Sequence, residues 1–125
     1  MGRKCIFWNC AWLVACLFWW TGNSPAAYRV EEVLSGLDNP WAVVPADDGN
    51  LFITETRGRI RVVKPGGSVT GIEGLPRVEE TGQGGLLDLA FHPDFGANRW
   101  LYLAYTVEDR SGLRTKVTRF TLRGR

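Results

Sequence analysis

Three glycines, one glutamine and the only histidine of the chain lie between residues 82 and 95, in the stretch GQGGLLDLAFHPDF. Two of its side chains have the chemistry to act on a ligand. Gln83 carries an amide, which donates and accepts hydrogen bonds and therefore suits neutral hydroxyl groups. His92 carries an imidazole, the most frequent general base near neutral pH. The elements around the two residues decide which of them can face a ligand.

His92 is followed by a proline and an aspartate, and both favour a turn. Pro93 restricts the preceding histidine to extended conformations, and the carboxylate of Asp94 can bond the backbone of the turn. We therefore predict that His92 is a turn residue at a strand end and is not catalytic. No cysteine–histidine zinc cluster, phosphate-binding loop or dinucleotide motif accompanies it in the sequence.

From Tyr28 onward, the sequence consists of short runs of Val, Ile, Leu and aromatic residues, each ending in Gly, Pro, Asn or Asp. Such runs are typical of β-strands, and many alternate between apolar and polar residues, as half-buried strands do. No long amphipathic helix is indicated. The pattern predicts an all-β chain with strands at residues 29–34, 41–45, 51–55, 59–64, 87–91, 100–106 and 116–122.

Two further features of these strands are predicted to be structural. Arg57, Arg59 and Arg61 alternate along one strand and are expected to form a solvated face. The acidic segments 38–39 and 47–50 are expected to be turns, because the second lacks the ligand spacing and the distal Glu of an EF-hand loop. The sequence therefore predicts no metal ligand in this chain.

Residues 1–27 differ from the rest of the chain and have the layout of a secretory signal. Arg3 and Lys4 precede an apolar stretch at residues 5–20, and small residues end it, with Ala26 or Ala27 expected to be the last residue removed. Two alternatives remain open: a retained membrane anchor, although sixteen residues fall short of the roughly 20 that span a bilayer, and a lipoprotein acylated at Cys16. In each case the chain is expected to be exported, to the periplasm or outside the cell.

The remainder of the chain, residues 28–125, is electrically balanced and free of cysteine. Cys5, Cys10 and Cys16 all lie in the leader, so this remainder has no disulfide. Without Arg3 and Lys4, 13 of the 15 Lys and Arg residues remain, against 13 Asp and Glu. A neutral body with interleaved signs gives no electrostatic basis for binding nucleic acid.

An internal repeat indicates the architecture. Residues 41–55 and 87–105 share the order of apolar strand, proline turn with Asp and Gly, and second apolar strand, with Val43 matching Ala90 at an offset of 47. That period is typical of propeller blades, although a β-sandwich or open barrel also has regular hairpins. Residues 28–125 suffice for roughly two blades, whereas propellers close with about 4 to 8. The expected fold is therefore two consecutive blades of an incomplete ring, preceded by an apolar N-terminal helix.

Three stretches resemble the opening of the glucose/sorbosone dehydrogenase family of soluble quinoprotein sugar dehydrogenases: GLDNPWAV at 36–43, LFITETRGRIRVV at 51–63 and GQGGLLDLAFHPDFGANRWLYLAYT at 82–106. The third stretch is the most specific. The resemblance implies a six-bladed β-propeller that binds pyrroloquinoline quinone and calcium, and residues 28–125 would be its N-terminal part. It also implies oxidation of the anomeric hydroxyl of an aldose to a lactone, with hydride transfer to the quinone and electrons then passing to an external acceptor.

The resemblance assigns roles to few residues of this chain. It implies that Gln83 lies near the sugar and the quinone, and that Gly82, Gly84 and Gly85 let the backbone approach the cofactor closely. The general-base histidine, the calcium ligands and most of the quinone pocket are expected beyond residue 125, so the chain alone is expected to be inactive. The alternative is a non-catalytic secreted propeller module that binds a protein or a carbohydrate, as in some animal members of the superfamily.

The leader generates a first testable prediction. Expressed in a bacterium with a periplasm, the chain is expected to be exported and to yield a mature protein that begins at Ala27 or Tyr28, as measured by intact mass. A product that keeps residues 5–20 in the membrane fraction would contradict cleavage, and a lipid-modified mass beginning at Cys16 would establish the lipoprotein alternative.

Overall fold

The computed structural model describes residues 28–124 of the chain. The predicted leader and the predicted apolar N-terminal helix, at residues 1–27, lie outside the described residues. Within 28–124, no helix has the length and apolar character needed to cross a membrane. The described elements are β1 Pro40–Pro45, β2 Leu51–Glu55, β3 Arg59–Val63, β4 Val69–Gly71, β5 Leu86–Phe91, the single helical turn α1 Phe95–Asn98, β6 Trp100–Asp109 and β7 Gly112–Thr121.

The strands form two antiparallel meanders, which confirms the predicted all-β fold. The first sheet has the order β1-β2-β3-β4, and the second has the order β5-β6-β7. Consecutive strands pair throughout, because short turns join them and antiparallel neighbours need no crossover. The sheets are not closed into a ring, and β5 of the second sheet packs against β1 and β2 of the first.

Three sequence-based predictions differ from the structure. No strand forms at 29–34, where Tyr28, Val30 and Val33 are exposed; alternation makes a strand only where a neighbouring strand supplies hydrogen bonds, and the described residues supply none there. The short strand β4 follows Pro65-Gly66-Gly67 and was not predicted, since three residues carry too little pattern. The second sheet accordingly has three strands among the described residues, instead of the four expected from two equal meanders.

The internal repeat is present, but its offset in the first strands is 46 residues and not 47. Val43 pairs with Ile53, and Leu89 pairs with Leu103, so the register matches Val43 with Leu89. Each first strand also has a register shift at the same place, between Pro40 and Val43 in β1 and between Leu86 and Leu89 in β5. The matching irregularities show that the two sheets are repeats of one structural unit.

The core lies between the two sheets. Phe52, Ile60 and Val62 of the first sheet pack against five buried residues of the second, and the rings of Phe52 and Phe91 meet edge to face with centroids 4.9 Å apart. The five are Leu86, Leu89, Leu101, Leu103 and Tyr105. Burying apolar surface in this way stabilises the fold by roughly 25 cal/mol per Å². The sheets therefore hold each other in place through one apolar interface.

This interface generates a second prediction. Leu103 is fully buried in the interface, so Leu103→Ala should lower the free energy of unfolding by about 2–5 kcal/mol, through lost burial and a residual cavity. Val117→Ala is the matched control, because Val117 is 70% exposed and should cost less than about 0.5 kcal/mol. Urea unfolding of both variants measures the difference. Equal losses would contradict the placement of the core.

Candidate functional site

Gln83 lies at the tip of a tight turn formed by residues 81–84. The N–H of Gly84 donates a hydrogen bond to the carbonyl oxygen of Thr81 at 2.8 Å, which closes the turn. Gly82 has a φ of +61°, a conformation that L side chains rarely adopt, so glycine is favoured at that position. Gln83 is exposed, and among residues 28–124 its side-chain amide makes no hydrogen bond. The turn therefore presents a free amide to solvent.

The other two predicted glycines pack against the protein itself. A Cβ at Gly85 would overlap the carbonyl oxygen of Thr56, and a Cβ at Gly84 would lie 3.0 Å from the carbonyl oxygens of Glu79 and Thr81. Nothing lies within 4 Å of a Cβ built at Gly82. Of the four predicted site residues, Gln83 and Gly82 are thus the two that face open space, whereas Gly84 and Gly85 allow close packing of the turn.

Backbone hydrogen bonds attach both ends of this turn to the two sheets. The N–H of Leu86 donates to the carbonyl oxygen of Thr56 at the end of β2, at 2.8 Å. Thr106 of β6 makes two further bonds: its N–H donates to Gly85 at 2.8 Å, and its carbonyl oxygen accepts from Glu79 at 2.9 Å. The turn is therefore fixed where the two sheets meet.

The first unit repeats part of the backbone of this loop but not its closed turn. At the offset of 46, Gly36 with a φ of +69° corresponds to Gly82, and Asn39 with a φ of +49° corresponds to Gly85. The hydrogen bond from Thr56 N–H to Asn39, at 3.1 Å, likewise corresponds to that from Thr106 to Gly85. Leu37 then occupies the position of Gln83. Asp38 corresponds to Gly84, but its N–H donates to Oε1 of Glu55 instead of closing a turn. Among the described residues, the closed turn and the amide at its tip therefore belong to the second unit.

A buried carboxylate lies on the first sheet beside this end of the strands. Glu55 is fully buried, and its Oε1 accepts a hydrogen bond from the backbone N–H of Asp38 at 2.7 Å. Its Oε2 lies 2.8 Å from Nε of Arg59 and 3.5 Å from Nε of Arg61. Burial raises the pKa of Glu55, but the Asp38 N–H and the two guanidinium groups together outweigh burial, so the pKa is below its ordinary value. Arg57, Arg59 and Arg61 are exposed to solvent in part, as predicted, but Arg59 and Arg61 also pair with a buried carboxylate, which the sequence did not indicate.

Arg57 connects the two equivalent loops. Its Nη1 lies 3.0 Å from Oδ2 of Asp38, and its Nε donates to Oε2 of Glu80 at 3.2 Å. The hydroxyl of Thr56 donates to Oε1 of Glu80 at 2.9 Å, and this bond is the main cause that lowers the pKa of the Glu80 carboxyl; Asn39 and Arg57 add to it. Sequence reasoning missed this network, in which three arginines at 57, 59 and 61 pair with the acidic residues 38, 55 and 80.

His92 accepts two hydrogen bonds within its own turn. Its Nδ1 lies 3.0 Å from the donating N–H of Asp94 and 2.8 Å from Nδ2 of Asn98. The ring stacks on Tyr102 and meets Trp100 edge to face. The structure therefore does not bring His92 together with Gln83: the imidazole is engaged in closing the turn between β5 and β6.

The main cleft of the described residues is separate from Gln83. It has a volume of about 620 Å³, and its walls include Phe52, Ile60 and Leu103, which belong to the core between the sheets. The cleft lies toward the end of β2 at which Asn50 enters the strand, whereas the Gln83 turn contacts the other end. Residues 28–124 contain no group of three Asp, Glu, His or Cys side chains placed to hold a metal ion.

The geometry defines a chain of propeller-type meanders with a polar turn between two blades, and comparisons with known proteins agree with that class. Residues 37–125 match the family described as Glucose / Sorbosone dehydrogenase. This match covers more than half of the chain, so the chain belongs to that family. Its members include glucose and aldose sugar dehydrogenases.

Individual relatives are similar over most of this chain but are much longer. The chain is 36% identical over 85 residues to aldose sugar dehydrogenase YliI of Escherichia coli, covering 66% of this chain and 23% of the relative. It is 36% identical over 93 residues to the mouse Hedgehog-interacting protein, covering 62% and 12%.

A solved structure described as the PQQ-bound form of aldose sugar dehydrogenase from Streptomyces coelicolor superposes with a TM-score of 0.65 at 27% identity, covering 72% of this chain and 26% of that one. The chain spans about a quarter of the length of the first relatives it matches.

The buried carboxylate generates a third prediction. Glu55→Gln should lower the free energy of unfolding by about 1–3 kcal/mol near pH 7, because Arg59 and Arg61 lose their charged partner but stay partly hydrated. Since the folded pKa lies below the ordinary 4.5, the contribution of the carboxylate is present above about that pH and is lost as the pH falls through the folded pKa. Urea unfolding at several pH values should show wild type and variant converging in acid. A difference that does not depend on pH would exclude an ionised Glu55.

Proposed function

We propose that the chain is the N-terminal part of an exported, quinone-dependent aldose dehydrogenase, and that Gln83 lines the pocket for the sugar and the quinone. The observation that supports the role of Gln83 is its exposed amide at the tip of the turn, which makes no hydrogen bond among residues 28–124. Because the turn does not need an amide for its own structure, a ligand is the natural partner for one.

The chemistry of an amide suits both proposed ligands. Its N–H₂ group donates to a carbonyl or a hydroxyl oxygen, and its oxygen accepts from a sugar hydroxyl. Gln83 would therefore orient a neutral polyol without requiring a charge on it. The hydrogen bonds of Leu86 and Thr106 hold the end of the loop, which limits the motion of the amide and reduces the entropy lost on binding.

The described residues fit one edge of a quinone pocket, and they do not fit the calcium site. Gln83 supplies hydrogen bonds suited to the carbonyl groups of pyrroloquinoline quinone, and the space around Gly82 is open. When bound, the quinone would supply the two-electron oxidation. Calcium, which prefers 6–8 oxygen ligands, finds no carboxylate cluster among residues 28–124. The ion is therefore assigned no step here.

Proton abstraction from the sugar hydroxyl is assigned to a histidine beyond residue 125, since His92 has its Nδ1 occupied by Asp94 and Asn98. The chain by itself is therefore proposed to bind without turnover, and an external acceptor would reoxidise the quinone in the whole protein. A dye-reduction assay with added quinone, calcium and glucose tests this part, and robust turnover by the isolated chain would overturn it.

Export is proposed from the leader-like residues 1–27 alone, with a membrane tether through residues 5–20 as its variant.

The second candidate function is a non-catalytic propeller module that binds a protein or a carbohydrate. The similarity to Hedgehog-interacting protein supports it, because that relative covers as much of this chain as a glucose dehydrogenase does. The two candidates differ in what the Gln83 turn should bind. Binding of quinone favours the dehydrogenase, whereas binding of a protein partner without any affinity for quinone or aldose favours the module.

The role of Gln83 generates a fourth prediction. Gln83 is exposed and its amide makes no hydrogen bond among residues 28–124, so the melting temperature of Gln83→Leu should stay within about 2 °C of wild type. Affinity for the quinone, followed by tryptophan fluorescence, should fall about fivefold, the effect of losing one hydrogen bond of about 1 kcal/mol. Thr115→Leu on the exposed part of β7 is the control for added apolar surface and should leave affinity unchanged. Equal affinity of wild type and Gln83→Leu would remove Gln83 from the pocket.

A further inference from the structure

One carboxylate links the Gln83 turn to the first sheet through its side chain. Glu80 precedes the turn by one residue, and its Oε1 accepts from Thr56 Oγ1 at 2.9 Å and from Asn39 Nδ2 at 3.4 Å. Its Oε2 accepts from Nε of Arg57 at 3.2 Å. Three donors from the loops of the first sheet thus bind one side chain, that of Glu80, which lies in the loop before the second sheet.

We propose that Glu80 is a positioning residue that sets where the Gln83 turn lies relative to the first sheet. The functional meaning of this position depends on the role proposed for Gln83, whereas the positioning itself does not. Glu80 touches no ligand in this proposal. It acts through the turn, and the ion pair with Arg57 and the hydroxyl of Thr56 hold it.

The backbone hydrogen bonds attach the ends of the loop, but not the tip of the turn, to the two sheets. The flanking hydrogen bonds end at Glu79 on one side and at Gly85 and Leu86 on the other. Between these points, the backbone bond from Gly84 to Thr81 closes the turn on itself without attaching it to either sheet. Gly82 and Gly84 flank Gln83, and glycine is the residue most permissive of backbone rotation. The Glu80 side chain therefore supplies the attachment that this part of the loop otherwise lacks among the described residues.

The repeat supports a function for this attachment. The residue of the first unit that corresponds to Glu80 at the offset of 46 is Leu34, just as Leu37 corresponds to Gln83. The closed turn, the acidic anchor and the amide thus occur together in the second unit, whereas the first unit has the N–H of Asp38 bonded to Glu55 at the corresponding place. Glu80 therefore accompanies the turn that carries the amide, as expected of a residue that positions it.

Arg57 fixes the position of the Glu80 carboxylate relative to the first sheet. It bridges Glu80 and Asp38 with different nitrogen atoms, Nε and Nη1, so one guanidinium group spans the two equivalent loops. An exposed ion pair contributes little to stability by itself. Its effect here is on geometry, because the planar guanidinium group fixes the relative position of the two carboxylates.

The test uses the full 125-residue chain and measures the order of the turn directly. Glu80→Ala should accelerate amide hydrogen exchange of Gly84 at least about tenfold and increase backbone motion at Gln83, while Leu103 in the core remains protected. Glu80→Gln keeps an oxygen that can accept from Thr56, so it should restore most of the protection. Glu79→Ala is the matched control: its side chain pairs only with the exposed Arg77, and exchange at Gly84 should stay within about twofold of wild type.

A second variant, Thr56→Val, tests the same attachment in case Glu80→Ala does not fold. Thr56→Val removes the hydroxyl donor but keeps the backbone carbonyl that binds Leu86, and it should loosen the turn in the same direction. Unchanged exchange at Gly84 in folded Glu80→Ala or Thr56→Val, or equal acceleration in Glu79→Ala, would overturn the proposal. Failure of the wild-type chain to bind quinone or glucose would count against the proposed function alone, since exchange at Gly84 is measured without ligand.

Discussion

The carbonyl oxygen of Thr56 accepts a hydrogen bond from Leu86 at 2.8 Å, and this contact joins the end of one blade to the start of the next. The approach is possible only because residue 85 is glycine, since a Cβ there would overlap the same oxygen. With this contact in place, Leu86 enters β5 in register with β6 and its side chain is fully buried between the sheets. The inter-blade core and the Gln83 turn both follow from this one close approach.

Contacts of this kind, between residues far apart in the sequence, explain why the strands could be predicted from the sequence but the site only in part. Strand β2 was predicted with its observed bounds, because its apolar and polar residues and its bounding turns are all local signals. Residues 29–34 have the same alternation but no partner strand among the described residues, and pairing is not a local property. The tip position of Gln83 follows from its glycine neighbours, whereas the contact of Gly85 with Thr56 joins residues 29 positions apart and leaves no local trace.

The arginines of β3 show the limit of pattern reasoning most clearly. The alternation of Arg59 and Arg61 indicates a solvent-exposed face of the strand, and both side chains are indeed partly exposed. Their partner Glu55 ends an apolar strand, and only the folded packing shows that its carboxylate is fully buried. A charged residue at the end of a buried strand, four positions before an arginine, was the available signal. It indicates an ion pair but not which of the two partners is buried.

A buried carboxylate costs desolvation free energy, and an apolar residue of similar size is often at least as stabilising. Glu55 is therefore better explained by geometry than by stability. Its Oε1 holds the backbone N–H of Asp38, and the Asp38 carboxylate in turn receives Nη1 of Arg57. The orientation of Arg57 then determines where Nε meets Glu80, the residue before the turn. Lysine at position 57 would carry the same charge, but its single ammonium group cannot present two donors in a fixed plane to both carboxylates. The position of an exposed amide at the surface thus depends, through three polar contacts, on a carboxylate held in the interior of the first sheet.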